Sequence, residues 1–249
     1  MEVFTDRDLT GARFEHVRLK DARFVDVDLR GIVVRDAWLM DADLDGEIAG
    51  LRVKGVEVEP LVEAELDRRY PLRPKMRPAD ADGFREAWAI LERLWDETVA
   101  RARTLPPEAL DESVGGEWSF VQTLRHLVFA TDAWLRRAYL GESEPWHPLC
   151  LPFDENDPIP WHPGERDLRP SLDEVLAVRA DRMRTVRETF AALTDEALAG
   201  RTTPVEERGY PEAGSSFPVR EVLLTVLHEE WHHRLYAERD LSALSRNDR

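Results

Sequence analysis

The sequence predicts a mainly α protein: a bundle of four long helices preceded by a short coil built from five-residue repeats. Three observations carry this. Apolar residues recur at every fifth position over about residues 5–48, a period that fits neither the ~3.6 of a helix nor the ~2 of a strand. Four long segments between residues 82 and 241 then place apolar side chains at helical spacing. Two of those segments open on Ser followed three residues later by Gln or Glu, at Ser119–Gln122 and Ser171–Glu174, which is the capping-box signature of a helix start.

In the first segment the five-residue step runs through Leu9, Phe14, Leu19, Phe24, Leu29, Val34, Leu39 and Leu44. Two positions before seven of these stand Ala12, Val17, Ala22, Val27, Ile32, Ala37 and Ala42. A coil with four short faces satisfies this pattern if every fifth side chain points to the axis and the smaller residues fill in beside it. Arg13, Arg18, Arg23 and Asp26 then face water. The segment resembles the pentapeptide-repeat family, whose fold is a right-handed quadrilateral β-helix with four pentapeptides per turn. Val34 at a centre, and Val17, Val27 and Ile32 at the small positions, depart from the family pattern. Eight units make about two coils, and a stack that short depends on neighbours and caps to bury its faces. A structural or docking role is therefore expected, since two coils are too short to cover a DNA-binding groove in the manner of long acidic pentapeptide helices.

The residues divide into 1–59 for the repeat segment, 60–79 for a short helix (LVEAELDRRY) with the linker prolines Pro71, Pro74 and Pro78, and 80–249 for the bundle. The first bundle helix is expected from about Asp82 to Leu105, with Phe84, Ala87, Trp88, Leu91, Leu94, Trp95, Thr98 and Val99 on one face. The second runs from Ser119 to near Gly141, the third from Ser171 behind Pro170 to about Leu193, and the fourth from Pro218 through Leu241. The connection 141–170 holds seven prolines with Trp146, Phe153 and Trp161. A connection of that length in a compact bundle reads as a wall of a site.

Composition removes several function classes. A chain of 249 residues, 43% hydrophobic and 34% charged, can bury a core. Its 50 acidic against 34 basic residues, a net charge of −16, argue against binding a nucleic-acid backbone. No apolar run reaches the roughly 18–20 residues of a membrane span, and MEVFTDRDLT lacks the apolar stretch of a signal peptide. The expected location is the cytoplasm, with no membrane partner. Cys150 is the single cysteine, which excludes an internal disulfide and any cysteine-rich zinc site.

Six of the seven histidines fall in the bundle: His126 on the second helix, His147 and His162 in the long connection, and His228, His232 and His233 on the fourth helix. Metal sites in bundles use side chains three or four residues apart, because these share a helix face. LHEEWHHRLYAERDL offers two such pairs, His228 with His232 and Glu229 with His233. On a helical wheel His232 points nearly opposite the stripe of Val219, Val222, Leu223, Val226, Leu227, Ala237 and Leu241, and His228 lies well off it. His233 projects between Val222 and Val226 with Glu229 beside it. The wheel favours Glu229 and His233 with His126, and leaves His228 and His232 as the alternative pair. Two imidazoles and one carboxylate keep positions open for water or substrate.

The blocks GEWSFVQTLRHLVFATDAWLRR, PWHPLCLP, SLDEVLAVRADRMRTVR and EEWHHRLYAERDL resemble, in that order, the DinB-like superfamily over about residues 80–245. The resemblance implies a four-helix bundle with a long crossover, assembled as a homodimer. It implies a divalent metal, commonly zinc, held by one His of the second helix and a His/Glu-x-x-x-His pair of the last. The motif falls on His126, Glu229 and His233, although a His-x-x-x-His version also occurs in the superfamily. Relatives include mycothiol-dependent isomerases and thiol S-transferases, so the implied function is a metal-dependent transferase or isomerase that uses a low-molecular-weight thiol such as mycothiol on a small electrophile.

An open-sided divalent ion can bind a thiol as thiolate, polarise a carbonyl or activate water. A metal-dependent hydrolase without thiol and a non-catalytic interaction scaffold are the alternatives. Glu230 projects into the apolar face, where a carboxylate becomes a proton carrier near neutral pH or hydrogen-bonds His233. His147 in PWHPL is a second weak catalytic candidate. Trp118 reads as a hydrophobic staple before the Ser119 cap, and Tyr236, Arg239 and Asp240 as anchors of the helix end. The dimer draws its own support from Trp88 and Trp95, two indoles too apolar for an exposed face.

Overall fold

The computed structural model describes residues 3–25, 27–153 and 165–247. Asp26, Trp161 and His162 lie outside the described residues. The chain divides into two units, 1–59 and 60–249.

In the first unit the five-residue period appears as a corner at each described corner position. Asp6, Gly11, His16, Asp21, Gly31, Asp36, Asp41 and Gly46 all have positive φ. Gly pays nothing for that backbone and Asp tolerates it better than most residues. At every second repeat the corner is a hydrogen-bonded turn, Ala12 N–H to Leu9 O (2.9 Å), Ala22 to Leu19 (3.1 Å), Ile32 to Leu29 (3.0 Å) and Ala42 to Leu39 (3.4 Å). Positive φ at the third residue makes these type II turns. The apolar centres are less covered than a packed axis predicts: the eight from Leu9 to Leu44 remain 43–69% exposed, and no strand precedes Arg52 among the described residues. A stack of about two coils gives each apolar ring at most one neighbouring ring, so its faces stay open. The unit ends in a hairpin of β1 (Arg52–Val53) and β2 (Val56–Glu57). Lys54 and Gly55 both have positive φ, as a two-residue type I′ turn requires.

The second unit is helical. Helix α1 (Glu59–Arg69) is tied to a 3₁₀ turn at Arg73–Met76 by Arg73 and Arg77, which pair with Glu63 and Asp67 at 2.5–2.7 Å. Helix α2 (Ala81–Ala102) starts one residue earlier than its apolar pattern, because Asp80 accepts the Gly83 N–H at 2.8 Å and caps it. Helix α3 (Phe120–Ala130) and helix α4 (Leu172–Ala192) both carry the full capping box read from Ser119–Gln122 and Ser171–Glu174. Helix α3 continues as a π-helical segment, Thr131–Tyr139. A single turn, α5 (Asp195–Leu198), precedes helix α6 (Val219–Asn247), which runs beyond the expected Leu241.

Helix α2 packs on α4 and α6, and α3 packs on the same two, so α2 and α3 occupy opposite corners of a four-helix bundle. The long connection after the second bundle helix is present. Every predicted core residue of α2 is buried except Val99, which is half-buried. Trp88 and Trp95 are buried inside the chain, each hiding the kind of apolar area worth about 2–3 kcal/mol. They therefore offer no surface to a second copy and give a dimer no support. Among the described residues no helix is long and apolar enough to cross a membrane.

Candidate metal centre

Two helices supply the centre. The capping box at Ser119 starts α3 and sets its phase, and the buried face of α3 then carries His126, which is buried. Glu229 and His233 are four residues apart on α6 and share one face. The structure brings these three together: one ligand atom from each lies within 4.8 Å of the others. His228 and His232 do not join them. Their rings are 6.0 Å apart, His232 is exposed, and His228 meets the Arg73–Arg77 turn, where burial, then His232 and Arg77, lower its pKa.

The ring nitrogens have defined roles. His126 Nδ1 lies 3.1 Å from the Leu151 carbonyl oxygen, and His233 Nδ1 lies 2.9 Å from the main-chain oxygen of Glu229. A carbonyl oxygen only accepts, so each Nδ1 carries the hydrogen and each neutral ring keeps its lone pair on Nε2. His126 Nε2 faces Glu229 Oε2 at 3.4 Å. A lone pair opposite a carboxylate oxygen is repulsive unless a cation or a proton lies between them. Glu229 Oε2 is buried and, among the described residues, has no hydrogen-bond partner of good geometry. His233 Nδ1 is 3.3 Å from it but is directed to the main-chain oxygen. An orphaned buried oxygen of this kind is costly, and a divalent ion satisfies it.

Electrostatics agree with that donor set. Burial, and then the charge His126 would carry, push the His233 imidazole down to about 4. The ring is therefore neutral at pH 7, the form that binds a metal. Burial raises the pKa of Glu229, whereas a hydrogen bond from His126 and positive charge on His126, His233 and His232 lower it, and the balance falls below the ordinary range when those rings carry protons. A cation in their place acts in the same direction. The carboxylate is anionic.

Aromatic rings enclose the pair. Trp118 lies 4.5 Å from the His126 ring and stacks on His233 at 6.1 Å. Tyr236 meets His233 edge-on at 5.9 Å, and Phe129 stands 6.0 Å from His126. Arg239, on the same helix as His233, pairs with Glu117 at 2.5 Å and so fixes the loop that carries Trp118. Trp118 was legible in the sequence only as a staple. Its place before the cap of the His126 helix was the available signal.

The two weak catalytic candidates sit elsewhere. Glu230 is buried on α6, with its oxygens 3.0 and 2.8 Å from the two terminal nitrogens of Arg179 on α4; neither is directed at His233 by any hydrogen bond among the described residues. His147 forms a turn in the connection, accepting the Leu149 N–H on Nδ1 at 3.1 Å and donating its own N–H to Asp132 at 3.2 Å.

Comparison with known families gives two matches. The DinB superfamily matches residues 90–237, and eight copies of pentapeptide repeats match residues 8–46. No curated protein and no solved structure matches the chain.

Proposed function

Because the chain belongs to the DinB superfamily, we propose that it binds one divalent ion through His126 Nε2, His233 Nε2 and the Glu229 carboxylate, and acts as a metal-dependent thiol transferase or isomerase on a small electrophile. The observation that carries the reading is Glu229 Oε2, a buried carboxylate oxygen with no hydrogen-bond partner among the described residues, 3.4 Å from His126 Nε2. Zinc is the first choice, since imidazole and carboxylate donors suit it. Mycothiol or a similar small thiol is the co-substrate that the family resemblance implies.

When bound, the ion lowers the pKa of a coordinated thiol or water and polarises a carbonyl. The chain's own residues do the rest. Main-chain carbonyls take the Nδ1 hydrogen of both imidazoles and leave each Nε2 with a lone pair to offer. Glu229 offsets part of the metal charge. Trp118 packs against both rings. Three protein ligands leave the remaining coordination positions to thiol and substrate.

The test is turnover of an electrophilic probe by the zinc-loaded chain with and without added thiol. Activity that needs the thiol supports the transferase or isomerase. Equal hydrolysis without thiol overturns it in favour of a hydrolase, and absence of stoichiometric metal binding favours a scaffold.

A further inference from the structure

We propose, on the metal-binding reading above, that Arg125 is a positioning residue of the centre: it seats the 149–151 main chain against His126 and so decides which nitrogen of that ring faces the ion. Arg125 precedes His126 on α3, and its side chain is fully buried. Among the described residues no carboxylate pairs with it. Its donors go instead to main-chain carbonyls, Nε to Leu149 O at 2.9 Å, Nη1 to Leu168 O at 2.9 Å and Arg166 O at 3.1 Å, and Nη2 to Glu165 O at 2.6 Å. A buried guanidinium is tolerated only when its donors are satisfied in this way.

Arg125 grips the connection twice. Its side chain takes the Leu149 carbonyl, and its own carbonyl accepts the Leu151 N–H at 3.1 Å. Residue 151 is thereby fixed against the α3 backbone, and its carbonyl oxygen receives Nδ1–H of His126 at 3.1 Å. Released from that oxygen, the imidazole samples both tautomers and can turn about its side-chain bonds. The wrong tautomer offers the ion an N–H in place of a lone pair. An Arg next to a ligand, donating to the main-chain segment that orients the ligand, thus couples the seating of the connection to the electronic state of His126.

The experiment compares the full chain with Arg125→Met and Arg125→Lys. Zinc and cobalt affinities are measured by competition with a chromophoric chelator, and the ring ¹⁵N shifts of His126 are recorded without metal. Circular dichroism and thermal melting report the fold. Wild type should show Nδ1–H at His126. Arg125→Met should show mixed tautomers and an affinity lower by about 10–100-fold, the usual loss when a residue supporting a metal-bound His is removed, with a shifted cobalt spectrum. Arg125→Lys keeps the charge but not the fork, and should fall between.

A folded Arg125→Met with wild-type tautomer and affinity within about twofold overturns the proposal and leaves Arg125 a purely structural staple. If Arg125→Met does not fold, the decision passes to Arg125→Lys and to wild type: unchanged affinity and tautomer in the first, or Nε2–H in the second, overturns it equally. A wild-type chain that binds neither ion overturns the metal reading instead, and the ring shifts still decide whether Arg125 positions His126.

Discussion

His147 accepts the Leu149 N–H on its Nδ1, so this imidazole serves the fold only while neutral. Burial, and then the nearby Arg182, lower its pKa from 6.5. The sign follows: below pH 6.5 the unfolded chain takes up a proton that the folded chain resists. The stabilisation is complete above that pH and is lost as pH falls through the lowered folded value. His147→Phe should cost about 1–3 kcal/mol at pH 7.5 by leaving the Leu149 N–H unpaired. The gap in melting temperature from wild type should close as the pH drops below 6.5. Parallel melting curves across that range would show that His147 does not titrate with folding. At this scale a sequence shows residue types but not their partners. The clustering of His126, Glu229 and His233 was only partly legible, because spacing offers Glu229–His233 and His228–His232 alike and only the helical wheel prefers the first pair. Trp118 was not recognised as part of the centre, because ring stacking across α3 and α6 depends on how the helices pack.

Among the elements, α4 and α6 are joined by the buried pair Arg179–Glu230, with Arg179 also 5.1 Å over the Trp95 ring. Removing one partner strands the other charge, so Glu230→Ala should destabilise the chain by about 3–5 kcal/mol in urea unfolding. Arg179→Met combined with Glu230→Leu should recover most of that, since two apolar chains remove the desolvation cost altogether. Zinc affinity should be unchanged in the double variant. A double variant as unstable as Glu230→Ala would mean that the pair contributes more than it costs to bury. The helix starts were readable because Ser119 and Ser171 carry their capping boxes in the sequence. The wheel placed Glu230 on the buried face correctly, yet a wheel cannot name a partner 51 residues away. The π-helical stretch Thr131–Tyr139 was equally hidden, as was the pairing it carries: Asp132 is buried there and accepts from Arg182 at 2.9 and 3.1 Å. That ion pair anchors the segment against α4, independently of any local helix preference.

For the whole molecule the two units differ in how much of their chemistry is internal. The bundle closes its own core, and the burial of Trp88 and Trp95 means that any second copy must use other surface. The homodimer implied by family resemblance predicts twice the 28.7 kDa chain mass in sedimentation at micromolar concentration; a monomeric mass there would rule it out. The repeat segment was legible as a period and as corners. Its open apolar rings were not, because a repeat pattern specifies a ring's side chains without specifying what covers the last one.

If α3 and α6 hold one ion between His126, Glu229 and His233, then His233→Ala and His232→Ala must behave differently. Both variants remove an imidazole from the same helix one residue apart, so general effects on α6 cancel, and His126→Ala serves as the control that abolishes binding under either pairing. Zinc titration should give one ion per wild-type chain and a melting temperature that rises with zinc, by the equivalent of about 2.7 kcal/mol at a hundredfold excess over Kd. His233→Ala should lose both, and His232→Ala should keep both. The reverse result, with His232→Ala losing the ion and His233→Ala retaining it, would contradict the account, make His228 and His232 the ligands, and free Glu229 to act as a base.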